Sequence, residues 1–530
     1  MAEYDWVIRG GAVYDGSGGA PFTGDVAIQG DRIAALGPRL DGRGSAEIDA
    51  RGLAVAPGFI NMLSWAIWPL IEDGRSQSEI RQGVTLEVMG EGASMGPILS
   101  EAAAQLVLDM RGDIERDIAW TTLGEYLVYL EARGVSTNIA SFVGAGTVRA
   151  NAVGLENRPA TPAELDHMRQ QVRQAMAEGA VGLSAALIYV PGCFASTEEL
   201  VALAQVVAES GGLYISHIRD ESERLLEAVD ELIAIARAAN VAAEIYHLKA
   251  SGRAHWDKLD AVIEKIEAAR AEGLRVTADM YTYPASSTSL DASLPLWAQE
   301  GGVEAMLARL QDPDARAQVK RDLVLMGDRA ENVLLVGFKS DALKPLIGKT
   351  LAEVAALRGV SPVDAMMDLI VEDRGHISAV YFTMSEDNLR KQIARPWVSF
   401  CSDGASMAAE GVFLKSSTHP RAYGSFARLL GRYVRDEKIL PLEEAIRRLT
   451  SLPAATLRLD RRGALKAGHF ADVVVFDPAT VQDHATYANP HQYATGVAHV
   501  FVNGAPVIRD GEHTGATPGR AVRGPGWRGL

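Results

Sequence analysis

Two histidines, His217 and His247, each stand at the end of a short apolar run. An extended chain has a two-residue period, so Leu213, Ile215 and His217 share one face, as do Ile245, His247 and Lys249. Apolar side chains fill the depth of each strand, and one imidazole sits at each mouth. A single histidine so placed is most simply a satisfied core residue. Two at equal depth on neighbouring strands can share one metal ion, because imidazole is the commonest metal ligand. Glu91 lies between Gly90 and Gly92 at the end of another run. It reads equally as a turn residue or as the third ligand. Two histidines, one glutamate and an open fourth position make a known catalytic zinc set. Asp403 precedes Gly404 at the end of a further run. Asp-Gly is a common turn pair, but beside a cation the same carboxylate serves as a general base for water. Lys249 and Arg421 add cations, and Tyr281 and Ser287 add hydroxyls. Each alone reads as a surface group. Together, beside a metal, they suit an anionic substrate, since a guanidinium grips a carboxylate through two parallel hydrogen bonds.

What elements would position these groups? Eight short β-branched or apolar runs punctuate the middle of the chain. They cover 54–62, 85–90, 138–144, 181–187, 213–217, 243–249, 275–283 and 398–403. Most are followed by helical patterns, such as 221–239 with Leu225, Leu226, Val229, Leu232, Ile233 and Ile235 on one stripe. Eight β/α repeats predict an α/β fold, a (β/α)₈ TIM-type barrel, whose chemistry sits at the C-terminal strand ends. The stretch between the seventh and eighth runs is longer than one repeat needs, which predicts an inserted subdomain near 292–350. Both chain ends read as β-structure. The hairpin-like segments are 6–15 about a Gly-Gly pair, 25–36 about Gly-Asp, and 499–510 about Asn503-Gly504, with a strand at 471–477. Neither end holds enough strands to be stable alone, so the two are expected to pair into one small β-sandwich. The expected domains are therefore 1–55 with 463–530, and the barrel over 56–462.

The chain has 530 residues, with 52 Lys and Arg against 68 Asp and Glu, a net charge of −16. That balance argues against nucleic acid, whose binders need clustered cations. Hydrophobic residues at 48% and charged residues at 23% mark a globular chain. Only 2 Cys, Cys193 and Cys401, exclude a disulfide framework. The first residues are acidic with no apolar signal core, and no apolar run is long enough to span a bilayer. A cytoplasmic protein with no membrane partner is the expectation; a homo-oligomeric state is left open. Of the 11 His, the first is His167, so no imidazole chemistry falls in the first third of the chain.

At these residues the chain resembles the amidohydrolase superfamily, and most closely the N-acyl-D-amino-acid deacylases (D-aminoacylases). The resemblance runs through nearly the whole chain. It includes Ala56-Pro57-Gly58-Phe59-Ile60, Gly83-Val84-Thr85, Gly182-Leu183-Ser184 and Tyr189-Val190-Pro191-Gly192. It continues through 217–221, 247–252, 279–290, Ser402-Asp403-Gly404, 419–431 and 466–472. Single motifs are weak, but the ordered set is specific. It implies a barrel metal site that hydrolyses the amide of an N-acylated D-amino acid. In that family two strand-end histidines and a cysteine after strand two hold the tight metal. A His-x-His after strand one and the strand-eight aspartate form a weaker position. Carried over by position, His217 and His247 become ligands, and Asp403 the base and proton shuttle. Lys249, Tyr281, Ser287 and Arg421 become the carboxylate clamp.

This chain departs from the pattern. Asn61-Met62-Leu63 follows Gly58-Phe59-Ile60 where His-x-His is expected, with Trp65 and Trp68 beyond, read here as apolar filler. Glu91 stands near the position of the cysteine, and Gly144-Ala145-Gly146 replaces a Gly-His-Gly. The loop between Asp403 and Arg421 is longer than in relatives. The expectation is a divergent subgroup with one divalent metal on Glu91, His217 and His247. Zinc leads; manganese, cobalt or iron are the alternatives, because carboxylate is a harder ligand than thiolate. Two other readings stand beside it. One is a related enzyme acting on a cyclic amide, lactone or carbamoyl substrate. The other is a metal-free, non-hydrolytic relative.

Overall fold

All eight runs contribute a strand to one parallel barrel. The computed structural model describes residues 2–323, 325–375 and 377–529. The barrel strands are β1 (Phe59–Asn61), β2 (Val84–Met89), β3 (Asn138–Ser141, resuming at Val143–Gly144) and β4 (Gly182–Ala186). They continue as β5 (Leu213–His217), β6 (Ala242–Ile245), β7 (Val276–Met280) and β8 (Val398–Phe400). Neighbours pair in register, for example Phe59 with Val84, Ser184 with Ile215, and Asp279 with Ser399. The ring closes where Met62 N donates to Phe400 O at 3.4 Å and Ser64 bridges Gly404.

The strands are near-continuous apolar stretches because both faces are covered, by barrel core inside and helices outside. The helix Leu225–Ala239 is representative. Its buried face carries Leu225, Val229, Leu232, Ile233 and Ile235, while Leu226 is only partly buried. It begins at Leu225 rather than 221, so residues 221–224 form a loop. Truncating Leu232 to Ala would cost about 2–5 kcal/mol, as for buried leucines generally.

The first run divides. Ala54–Pro57 belongs to a separate nine-stranded sheet and only Phe59–Asn61 to the barrel. That sheet draws strands from both chain ends, joined where Ala56 pairs antiparallel with Val474. Its inward residues, among them Ile8, Val26, Ile33, Val55, Val473 and Phe501, share one apolar cluster. The Gly-Gly pair at 10–11 does not turn a hairpin. It lies inside one long strand, Tyr4–Val13, where Arg9 and Gly10 bulge opposite Asp25 and Gly11 pairs with Gly24, with Gly10 at φ 68°.

Between β7 and β8 lies a three-stranded antiparallel sheet, Ser286–Ser289, Val333–Gly337 and Ser378–Tyr381, with Ser378–Tyr381 in the middle. Helices pack on it around Leu310, Leu335, Leu351 and Ile370. Its first and last strands in the chain, Ser286–Ser289 and Ser378–Tyr381, lie beyond the two limits of the 292–350 window that chain length suggested. No helix among the described residues is long and apolar enough to cross a membrane.

Candidate active site

Glu91 reaches the barrel mouth because its neighbours are glycines. Gly90 and Gly92 have φ of 99° and 63°, a region that side-chain-bearing residues avoid. A Cβ on Gly90 would lie 2.7 Å from Phe142 O, and one on Gly92 2.3 Å from Ala186 Cβ. His217 is the last residue of β5. His247 lies two residues beyond β6 and is itself left-handed, at φ 34°. Its backbone N–H donates to Asp279 Oδ1 at 2.7 Å, which braces that conformation.

The three side chains converge. His217 Nδ1 is 3.2 Å and His247 Nε2 3.0 Å from the same oxygen, Glu91 Oε1. Among the described residues, Glu91, His217 and His247 are the group of three whose donor atoms, all within 4.8 Å of one another, could hold a metal ion. All three are buried. The donor chemistry fits a divalent cation: two ring nitrogens and a carboxylate face one point. Second partners are also in place. His247 Nδ1 lies 2.8 Å from Lys249 Nζ and 3.2 Å from Glu221 Oε1. A ligating ring is normally fixed by such a contact at its other nitrogen.

Burial and neighbouring charges compete at each of these groups. Burial raises the Glu91 carboxyl, but His247 and His217 outweigh it and hold Glu91 at about 2. Burial and Lys249 push His247 down, yet Glu91, Asp403 and Glu221 carry it up to about 10. Glu221 is held far below the usual carboxylate range: Lys249 and the histidines overcome its burial. Burial pushes Asp279 up to about 6.

The opposite rim holds Asp403, at φ 48°. Its Oδ1 accepts from Trp65 Nε1 at 3.0 Å, and its Oδ2 lies 2.7 Å from Arg421 Nη1. Arg421 is buried with its guanidinium 4.5 Å from the Tyr281 ring, and Nη2 donates to Ser287 O at 3.2 Å. Its Nε and Nη1 make no directed hydrogen bond. Lys249 Nζ donates to Glu221 Oε1 at 2.5 Å. Trp65, Glu91, His217, His247, Lys249, Tyr281, Ser287, Asp403 and Arg421 all line one cavity of about 1580 Å³.

Residues 46–508, most of the chain, match the model of the amidohydrolase family. The chain belongs to that family. Membership places it among hydrolases of carbon–nitrogen bonds. It is 35% identical to a D-aminoacylase of Alcaligenes xylosoxydans xylosoxydans, over 98% of this chain and 97% of the relative. It is similar to the crystal structure of N-acyl-D-glutamate deacylase from Bordetella bronchiseptica, complexed with zinc and a phosphonate mimic of the tetrahedral intermediate. The TM-score is 0.83 at 31% identity, over 98% of this chain and 99% of that one. A D-aminoacylase structure described by one-metal activation and second-metal attenuation matches with TM-score 0.83 and 32% identity, over 98% and 100% of the two chains.

The structure of this amidohydrolase brings most of the expected residues together. Glu91, His217 and His247 meet, and Asp403 and Arg421 meet across the mouth. Tyr281 lies under Arg421, with its hydroxyl on Met384 Sδ at 3.3 Å. Ser287 enters through its carbonyl; its hydroxyl donates to Ala379 O at 2.9 Å. No imidazole stands after β1. Asn61 Nδ2 donates to Ser402 Oγ at 2.7 Å, and its Oδ1 accepts from Ser402 N at 2.9 Å. Met62 and Leu63 are buried core, and Gly144-Ala145-Gly146 opens the helix Ala145–Ala152.

Three polar residues escaped the sequence reading. Glu221 joins Lys249 to His247; its place four residues after His217 was the available signal. Asp279 braces His247 from the strand next door. Trp65 is not filler: it holds Asp403. Trp68 is core, buried with its N–H on Val107 O at 2.8 Å.

Proposed function

We propose that this amidohydrolase releases D-amino acids from N-acyl-D-amino acids, or from related D-configured amides, at a site with one divalent metal. The observation that carries this reading is the convergence of Glu91, His217 and His247 opposite the Asp403–Arg421 pair in one cavity. The relatives named above support the substrate class, and the zinc complex of one supports zinc as the ion. The harder Glu91 carboxylate also accommodates manganese, cobalt or iron. The two chain ends, expected as 1–55 and 463–530, act as a supporting domain for the catalytic barrel, and the sheet strand Ala54–Pro57 carries the first boundary to 57.

Glu91, His217 and His247 hold the ion, which when bound supplies Lewis acidity toward the amide carbonyl and its water. Asp403 accepts the proton that water loses as its oxygen bonds to the carbonyl carbon. Asp403 then delivers that proton to the amide nitrogen as the C–N bond breaks, leaving a carboxylic acid and a free D-amino acid. Lys249 and Arg421 bind the α-carboxylate, with Tyr281 and Ser287 shaping that wall. The Nε–H of Arg421, a residue that lines this cavity, is a buried donor with no hydrogen-bond partner, and an anion satisfies it at least cost. Glu221 fixes Lys249 and the outer edge of His247.

The test is a panel of N-acetyl-D- and N-acetyl-L-amino acids on protein of measured metal content. The expected result is release of D-amino acids at one metal per chain. If no D-amino acid appears at any metal loading, the assignment fails.

A further inference from the structure

We infer that Trp65 is a positioning residue for Asp403, fixing the carboxylate that carries the water proton. The inference rests on the functional reading above, in which Asp403 is that carrier. Two loops meet here, one after β1 and one after β8, and backbone bonds zip them together. Asp403 N donates to Leu63 O at 2.9 Å, and Trp65 N donates to Gly404 O at 3.0 Å. The zipper sets the indole edge against the carboxylate, with Nε1 to Oδ1 at 3.0 Å. Asp403 holds a left-handed backbone, which costs free energy and persists only where its surroundings enforce it.

The chemistry of the two neighbours matters as much as their distance. An indole N–H and a guanidinium are donors only; neither takes up a proton near neutral pH. Asp403 is bracketed by both, with Trp65 on Oδ1 and Arg421 beside Oδ2. A proton received by Asp403 therefore cannot pass to either neighbour, and the substrate nitrogen is its outlet. The indole also stops the carboxylate from rotating, so the lone pair that accepts the proton stays aimed at the cavity. Trp68, three residues on, shows the contrast: its N–H is spent on a core carbonyl, Val107 O.

The test combines kinetics with a signal independent of turnover. Trp65→Phe keeps an aromatic ring and removes the N–H. It should lower kcat by about tenfold to a hundredfold, the range expected for a hydrogen bond to a charged group. KM and metal content should stay unchanged. In spectra of protein labelled with ¹⁵N-indole tryptophan, metal-free as well as loaded, the signal lost in Trp65→Phe should shift when Asp403→Asn is introduced. Should the Phe variant misfold, benzothienyl-alanine at position 65 replaces the N–H by sulfur at nearly constant shape. An unchanged kcat, a loss explained by lost metal or raised KM, or an indole signal blind to Asp403→Asn overturns the inference. A wild-type enzyme that releases no D-amino acid refutes the functional reading instead, and the indole signal then decides the contact by itself.

Discussion

The two sides of the barrel mouth are built on opposite principles. On the side of β5 and β6, lone pairs converge: Glu91 Oε1 faces His217 Nδ1 and His247 Nε2. On the side of β1 and β8, donors already occupy the acceptors. Trp65 and Arg421 cover Asp403, and Asn61 is bonded to Ser402 through both ends of its amide. Behind Asn61, the Glu79 carboxyl is pushed well above the usual carboxylate range, by burial and then by Glu87. A cation needs converging lone pairs. A cluster of N–H groups with a guanidinium beside it repels one. The proposal of a single metal position, with proton handling on the other rim, draws on this contrast.

Three changes would break or sharpen this contrast. The largest effect falls on the converging side. Glu91→Ala should abolish stoichiometric metal and reduce kcat/KM by at least about 10³-fold, since the Lewis acid goes with it. Elemental analysis of the purified variant is the check, and full metal with full activity would sink the ligand assignment. Next in size is Lys249→Ala. Its ammonium is proposed to bind substrate carboxylate, so KM should rise about tenfold to a hundredfold while metal content holds. A fall in kcat alone would move Lys249 out of the clamp. The smallest effect belongs to the saturated rim. Asn61→Ala leaves Ser402 and Glu79 short of partners and should cost about 1–3 kcal/mol of stability. Denaturant unfolding would measure it, with metal content and KM expected to stay put.

Much of the barrel was legible because its signals are local. Buried parallel strands read as apolar runs, and each of the eight runs holds one barrel strand. The failures were local too. At Gly10-Gly11 a bulge and a turn use the same dipeptide, and only the partner strand at Asp25 distinguishes them. Helical periodicity over 221–239 could not reveal that its first turn is a loop. That loop matters, because it frees Glu221 to reach Lys249.

The site divides in the same way. The order and chemical types of Glu91, His217, His247, Asp403 and Arg421 were determined by the sequence. Strand-end position brings Glu91, His217, His247 and Asp403 toward one mouth, but period-2 alternation stops at Ile245, and Arg421 comes from the helix Arg421–Arg428. The left-handed backbone of His247, its brace on Asp279 and the grip of Trp65 on Asp403 were decided by tertiary structure alone. Trp65 and Asp403 are far apart in the chain, and a tryptophan in a gap reads as apolar filler until its N–H has a partner. Hydrogen-bond direction is a property of two groups in space. No spacing within one stretch of sequence encodes it.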